Sequence, residues 1–378
     1  MIFKKVKMED WFIKNTSCKH NFSESGVPDF TLDEFFQKIK INKSVLNNIF
    51  LGNNSTWGSS GLRKEVSCTY KDVKPNNLII TNGTSEALYI FFNLFLNSKS
   101  KVLLLYPAFP LLYLIPQALK AKVYFLDALR YENKAELLEK LILKINKIKP
   151  NLLIINIPHN PLGFTFNEKE IIEIAKTAKE NKVDILFDEH YRFLPINSTK
   201  KIFTSGYGIA NKFYNRVFAT GSVIKCAGIV GIRAGWMIAD NNTLNKIRDY
   251  KDHITHCVPL ISEVITGLAV SNISKITKNY IENIKNNWSI LKNSKLVKEG
   301  KIILNYELEG GCVCFPRISG INTFKLAEIL AKKYSISIMP GEVFGKSGYI
   351  RINLSQKQKE FGNLLRKINH IIKNYGKV

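Results

Sequence analysis

Apolar residues in the middle of this chain fall into short continuous runs, separated by stretches in which they recur with the period of a helix. Runs at Asn77–Thr81, Val102–Tyr106, Val123–Asp127, Leu152–Ile157, Asp184–Phe187, Arg216–Ala219 and Ile232–Ala239 predict seven β-strands. A continuous run, unlike strict alternation, suits a strand buried on both faces. Between them Ser85–Leu96, Leu111–Leu119, Lys134–Ile148 and Glu168–Glu180 carry helical spacing. Strand and helix in alternation predict an α/β fold: a seven-stranded, mainly parallel sheet covered on both sides.

The flanks read differently. Residues 1–45 form an arm, irregular apart from the turn Ser25-Gly26-Val27-Pro28 and a short helix at Leu32–Ile39. Residues 46–275 make up the large domain. A single long helix over Ser271–Asn293 is expected to join it to a smaller α+β domain, residues 276–378. That domain is read as strands Lys301–Tyr306, Cys312–Pro316, Ser335–Met339 and Tyr349–Leu354, with helices Thr323–Tyr334 and Lys357–Tyr375. The sequence shows no internal repeat and no low-complexity linker, and the arm is expected to pack with the small domain.

Composition narrows the function classes. With 45% hydrophobic and 23% charged residues the chain has the make-up of a folded globular protein. Its longest apolar stretch, Val102–Pro116, is interrupted by Pro107 and Pro110 and is shorter than the ~18 apolar residues of a membrane helix. No apolar secretory segment opens the sequence, so a cytoplasmic protein with no membrane partner is expected. The net charge of +24 would suit a nucleic-acid partner, yet only nine of the 55 basic residues are Arg and the lysines are dispersed. An anionic small molecule fits that pattern better than nucleic acid. Six cysteines without a C-x-x-C pair predict buried free thiols and no metal centre.

Four segments carry candidate chemistry. Ile79-Ile80-Thr81-Asn82-Gly83-Thr84-Ser85 passes from a strand through Gly into a helix whose first residues bear hydroxyls, either a plain N-cap or an anion site made of backbone N–H groups. Asn156-Ile157-Pro158-His159-Asn160-Pro161 lies at the carboxyl end of a buried strand, where ligands of open α/β sheets sit. Asp188, in Phe187-Asp188-Glu189-His190-Tyr191, is poised at another carboxyl end to cap a helix or to pair with a cationic ring nitrogen or a metal. Finally, Gly221-Ser222-Val223-Ile224-Lys225-Cys226-Ala227-Gly228 places one of the 46 lysines in apolar company. Such a lysine either reaches out to solvent or has a lowered pKa that makes its amine nucleophilic.

In this order, with 28 residues from Asn160 to Asp188 and 37 from Asp188 to Lys225, the segments resemble the fold-type I pyridoxal-phosphate enzymes of the class I/II aminotransferase family. The resemblance extends from about Gly26 to the C-terminus. It implies a pyridoxal 5'-phosphate cofactor held by Lys225 as a Schiff base, with Asp188 on the pyridine nitrogen and Asn160 and Tyr191 on the phenolic oxygen. It further implies Phe109 stacked on the ring, and Gly83, Thr84, Ser85, Ser222 and Arg233 on the phosphate. Arg351 would grip the substrate carboxylate by a bidentate pair, beside Gly26 and Asn160.

Implied with these roles are an aminotransferase acting on an α-amino acid and a 2-oxo acid, and a homodimer. The sequence departs from the family in two places. Where many relatives carry a Tyr that reaches a neighbouring subunit's phosphate, this chain has Thr56 and Trp57, and His190 replaces a residue that is usually apolar. His190 is read as a packing residue. Glu9-Asp10-Trp11, Ser25-Gly26-Val27 and Met339-Pro340-Gly341-Glu342 also resemble capreomycidine-synthase-like members, which eliminate and cyclise a hydroxylated arginine. In that case Glu24 or Asp29 would face a guanidinium. A regulatory binding module that kept the fold without catalysis is the reading from another class, and the chain lacks the extra DNA-binding domain it would need.

Overall fold

The computed structural model describes residues 3–196 and 205–374. Its centre is one seven-stranded sheet made of β1 (Leu78–Thr81), β2 (Lys101–Tyr106), β3 (Lys122–Asp127), β4 (Leu152–Asn156), β5 (Asp184–Asp188), β6 (Val217–Gly221) and β7 (Gly235–Ile238). The spatial order is β1-β7-β6-β5-β4-β2-β3. Only β7 runs antiparallel to its neighbours. All seven predicted strands are present.

Alternate residues of each strand enter different cores, as the strand period of two requires. Leu78, Ile80, Leu103 and Leu105 join one buried cluster, and Ile79, Val102 and Leu104 join the other. Polar side chains therefore collect at the strand ends, chiefly the carboxyl ends. The helices Thr84–Phe95, Leu111–Ala118, Lys134–Ile148 and Glu168–Glu180 cover the two faces as expected.

The remaining elements differ in detail. The arm holds a second helix, Lys7–Lys14, whose Met8 and Trp11 lie one turn apart and are buried. Trp11 Nε1 donates to the Ile338 carbonyl (2.8 Å), and His20–Asn21 pairs in parallel with Ile336–Ser337. The expected helix over Ser271–Asn293 is present as Ile273–Lys292, and a further helix not read from the sequence, Leu260–Ser271, precedes it. The two part at Asn272, whose carboxamide donates to the Leu268 carbonyl and stops the first of them. Of the strand read at Lys301–Tyr306 only Ile302–Ile303 is extended, paired with Arg317–Ile318. The last β-run starts at Gly235 rather than Ile232, because Val230–Ile232 forms a 3-10 turn that ends in Arg233 at φ 52°. The final helix is Gln358–Lys373, and Tyr375 lies outside the described residues. All six cysteines are free; Cys226, Cys312 and Cys314 are buried as expected, whereas Cys68 is exposed. No helix among the described residues is long and apolar enough to cross a membrane.

Candidate active site

The carboxyl ends of β4, β5 and β6 bring three polar residues into one row: Asn156 stands opposite Asp188, and Asp188 opposite Thr220. Register alone thus aims two donors at one carboxylate. Asn156 Nδ2 donates to Asp188 Oδ2 at 3.0 Å, and Thr220 Oγ1 to Oδ1 at 3.1 Å. Burial pushes the Asp188 carboxyl up to about 7, despite these bonds and the opposing pull of Lys225.

Above this row opens a cavity of about 420 Å³, lined by Thr84, Ser85, Phe109, Asn160, Asp188, Tyr191, Lys225 and Arg233 among others. Seven elements or loops far apart in sequence meet there. The Lys225 amine points at Ser25 Oγ, to which it donates a hydrogen bond. Its pKa is lowered, first by burial and then by Arg351, a shift toward the nucleophilic amine. The arm holds this lysine by its backbone. Val27 N donates to the Lys225 carbonyl (2.9 Å), and Phe30 N to that of Gly228 (2.8 Å). Gly26 and Gly228 make the approach feasible: an added Cβ would lie 3.2 Å from the Lys225 carbonyl oxygen at the first, and 2.4 Å from that of Pro28 at the second. Tyr191 donates its hydroxyl to the Ser25 carbonyl.

At the opposite side the helix Thr84–Phe95 starts with Gly83 at φ 76°. Thr84 and Ser85, in its first turn, line the cavity, and the first turn of a helix carries the unpaired N–H groups that accept an anion. An added Cβ on Gly83 would be 2.8 Å from a guanidinium nitrogen of Arg233, so the glycine lets that cation lie against the helix start. Gly235 packs equally close behind, 2.8 Å from Thr84 N on the same test.

Four expected residues, Gly26, Gly83, Ser222 and Arg351, do not line the cavity. Gly83 contributes backbone only. Ser222 is fully buried, and its Oγ lies 3.1 Å from His190 Nδ1. Arg351 is buried completely beneath Met8 and Asn160, with Nη1 donating to Asn160 Oδ1 (3.2 Å) and Nη2 to the Ser23 carbonyl (2.7 Å). Its Nε has no partner, a free donor close to the cavity. His190 does more than pack: it lines the cavity, and burial with Lys225 and Arg233 nearby lowers its pKa to about 3, leaving it neutral. Of the two acids proposed to face a guanidinium, Glu24 lines the cavity whereas Asp29 accepts from Val230 N (3.1 Å) instead. Thr56 is turned to Asp252 (2.7 Å) and Trp57 lines no part of the cavity.

Residue-by-residue reading missed Asn156, Thr220, Ser23 and Ser25, and also Met8 and Phe12, which reach the cavity from the arm helix. A polar residue closing an apolar strand was a usable signal for Asn156 and Thr220. Nothing local marks the serines, which act through contacts with residues some 200 to 330 positions away.

Against the family model of aminotransferase class I and II, the chain matches over residues 54–368. The chain belongs to this family. It is 25% identical to an aspartate aminotransferase of Sulfurisphaera tokodaii, over 92% of this chain and 88% of the relative. Capreomycidine synthase of Streptomyces vinaceus is 23% identical, covering 96% and 92%. Among solved structures, a PLP-dependent aminotransferase from Streptococcus suis superposes with a TM-score of 0.87 at 23% identity, covering 99% of both chains. A PLP-dependent cyclase, OrfR, reaches the same TM-score at 19% identity, covering 99% and 98%. At these identities the structures speak for the fold. Pyridoxal 5'-phosphate is the cofactor of the family.

The cavity fits that cofactor. An aldehyde needs an amine whose pKa is lowered, a pyridine nitrogen needs a buried acid, and a phosphate needs clustered donors with a cation. Lys225, Asp188 and the Thr84, Ser85 and Arg233 group supply these around one space.

Proposed function

We propose that this aminotransferase moves the amino group of an α-amino acid to a 2-oxo acid with pyridoxal 5'-phosphate bound at Lys225. The observation that carries the reading is the meeting of the Lys225 amine, the Asp188 carboxyl and the helix start at Thr84 in a single cavity. When bound, the cofactor supplies an electron sink for the charge left on the substrate's α-carbon. Asp188 holds a proton at the ring nitrogen. Asn160 and Tyr191 would hold the ring's oxygen edge, Tyr191 by turning its hydroxyl proton away from the Ser25 carbonyl that now accepts it. Asn160 is pre-set for this, since its backbone N–H bonds Asn156 Oδ1 (2.6 Å) and its own Oδ1 accepts from Arg351, which leaves Nδ2 free to donate. Thr84, Ser85 and Arg233 hold the phosphate, with Gly83 shaping the approach and Ser222 supporting through His190.

Arg351 receives the substrate carboxylate beside Gly26, with a shift of Met8 uncovering the guanidinium. Lys225 Nζ would take the α-proton and carry it away from the α-carbon to the cofactor's side of the C–N bond, so that hydrolysis releases a 2-oxo acid, and Ser25 Oγ would steady the amine between the two events. Phe109 and His190 bound the cavity and keep water from the reacting carbon. Borohydride reduction followed by peptide mass spectrometry tests the assignment: the cofactor's mass is expected on Lys225 alone, and label on another amine would overturn it. Formation of a 2-oxo acid from an amino-acid panel then tests the transfer.

A second reading, elimination and cyclisation of an arginine-like substrate, is favoured by one feature. Glu9 and Glu24 line the cavity, and neither carboxylate has a hydrogen-bond or ion-pair partner among the described residues. A substrate with a cationic side chain would satisfy both. A product that retains all substrate nitrogen decides for this reading, and a 2-oxo acid decides for transfer.

A homodimer belongs to the proposal: Phe50 and Leu51 are 73% and 90% exposed next to one another, and a second copy would cover them. Light scattering tests it. A cytoplasmic location is supported by the free state of all six cysteines. The division into an arm (1–45), a large domain (46–275) and a small domain (276–378) accompanies the same reading.

A further inference from the structure

A second cleft, of about 610 Å³, lies at the carboxyl ends of the edge strand β3 and its neighbour β2 and shares no lining residue with the catalytic cavity. Its size is within the ~300–1,000 Å³ of small-molecule sites. Three half-buried rings form one wall. Tyr106, Tyr113 and Phe125 pack edge to face with centroids 5.1 to 6.2 Å apart, and the remainder of each ring is open to the cleft. Burial keeps the Tyr113 hydroxyl protonated, with its pKa pushed up to about 12, so the wall carries no negative charge.

Around these rings stand four cations, Lys4, Arg130, Lys144 and Lys346, against a single carboxylate, Asp127. That carboxylate is already engaged, at 2.5 Å by Lys346 Nζ and at 3.4 Å by Arg130 Nε. Among the described residues Lys144 has no ion-pair partner. Its ammonium donates only to the Phe125 carbonyl (2.6 Å), and it is disfavoured by burial and by the charge of Arg130. A concentration of uncompensated positive charge next to apolar ring surface is a recognition pattern, because a ligand carrying both a ring and an anion satisfies each part with one molecule.

We propose that this cleft binds a small molecule with one flat aromatic ring and one carboxylate or phosphate, the ring against Tyr106, Tyr113 and Phe125 and the anion against Lys144 and Arg130. Because it shares no lining residue with the catalytic cavity, it is proposed as a site separate from the amino-acid pocket. Calorimetric titration of the cofactor-loaded protein with benzoate and with phenyl phosphate tests this, with inorganic phosphate and benzyl alcohol as half-ligands.

Saturable binding of one aromatic anion per chain is expected, about tenfold or more tighter than either half-ligand, since both a ring contact and a charged hydrogen bond are lost in turn. The double variant Arg130→Ala with Lys144→Met should weaken it by about tenfold, with the bound cofactor's absorbance unaltered. Arg130→Ala alone, a change at a side chain 78% exposed, provides the same test with the fold undisturbed. Binding of neither anion, equal affinity in the variants, or competition with the amino-acid substrate would overturn the proposal.

Discussion

Replacing Asp188 by Asn should make the cofactor-free protein more stable, and increasingly so as the pH rises. Burial lifts the Asp188 carboxyl to about 7 from an ordinary 3.8. At ~1.36 kcal/mol per pH unit, that gap corresponds to roughly 4 kcal/mol. Between the two values the unfolded chain has released the proton while the folded chain still holds it, so folding stability falls as the pH rises from about 4 to about 7 and stays low beyond. An Asn keeps the shape of the site. Its carboxamide oxygen can accept from Asn156, and its NH2 can donate to the Thr220 hydroxyl, which rotates to receive it. Urea unfolding of both cofactor-free proteins at pH 5 and pH 8 isolates the effect, because every other titration is common to the pair. The wild type should lose roughly 3 kcal/mol more than the variant over that interval. With the cofactor bound the order reverses, since the ionised carboxylate then faces a cation, and the cofactor should stabilise the wild type more. A difference between the two proteins that stays constant from pH 5 to pH 8 would show the carboxyl to be ionised throughout, and the argument from burial would be wrong.

Other outcomes follow from single contacts. Arg351→Lys gives up the fork that spans Asn160 and Ser23, so steady-state kinetics should show KM for the amino acid raised by about 10- to 100-fold with a smaller change in kcat; a loss confined to kcat would contradict carboxylate binding. Gly228→Ala forces a side chain onto φ 64° and within 2.4 Å of the Pro28 carbonyl, which should cost about 1–3 kcal/mol in urea unfolding and loosen the arm over Lys225. An unchanged midpoint would argue against that latch. Tyr70→Phe keeps the ring under Arg192, 3.7 Å from its centroid, but leaves the Trp236 indole N–H without its 3.0 Å acceptor. The expected loss is about 1–3 kcal/mol with activity per folded molecule retained.

The parts legible in the sequence share one physical basis. Strands buried on two faces must be apolar throughout, so all seven were marked by composition, and the lysine among glycines and the acid closing an apolar run stood out against those backgrounds. The helix Lys7–Lys14 was not legible in that way. Two buried residues on an otherwise polar stretch become a signal only once something, here the Ile338 carbonyl and the turn beyond it, is there to cover them. The helix Leu260–Ser271 was not read from the sequence either, and it ends at Asn272, whose side chain bonds the Leu268 carbonyl.

From its order of residues alone, then, the chain commits to alternating strands and helices, to polar groups at strand ends, and to a lysine, an acid and an arginine in the order that resembles the class I/II aminotransferase family. Which of these groups meet was left to tertiary structure. Register across β4, β5 and β6 decided that Asn156 and Thr220 serve Asp188, and the return of the arm decided that Ser25 steadies Lys225 while Met8 covers Arg351. Local sequence encodes backbone preference over a few residues, whereas a hydrogen bond between groups 200 or 343 positions apart exists only when packing of the whole chain has brought them within 4 Å.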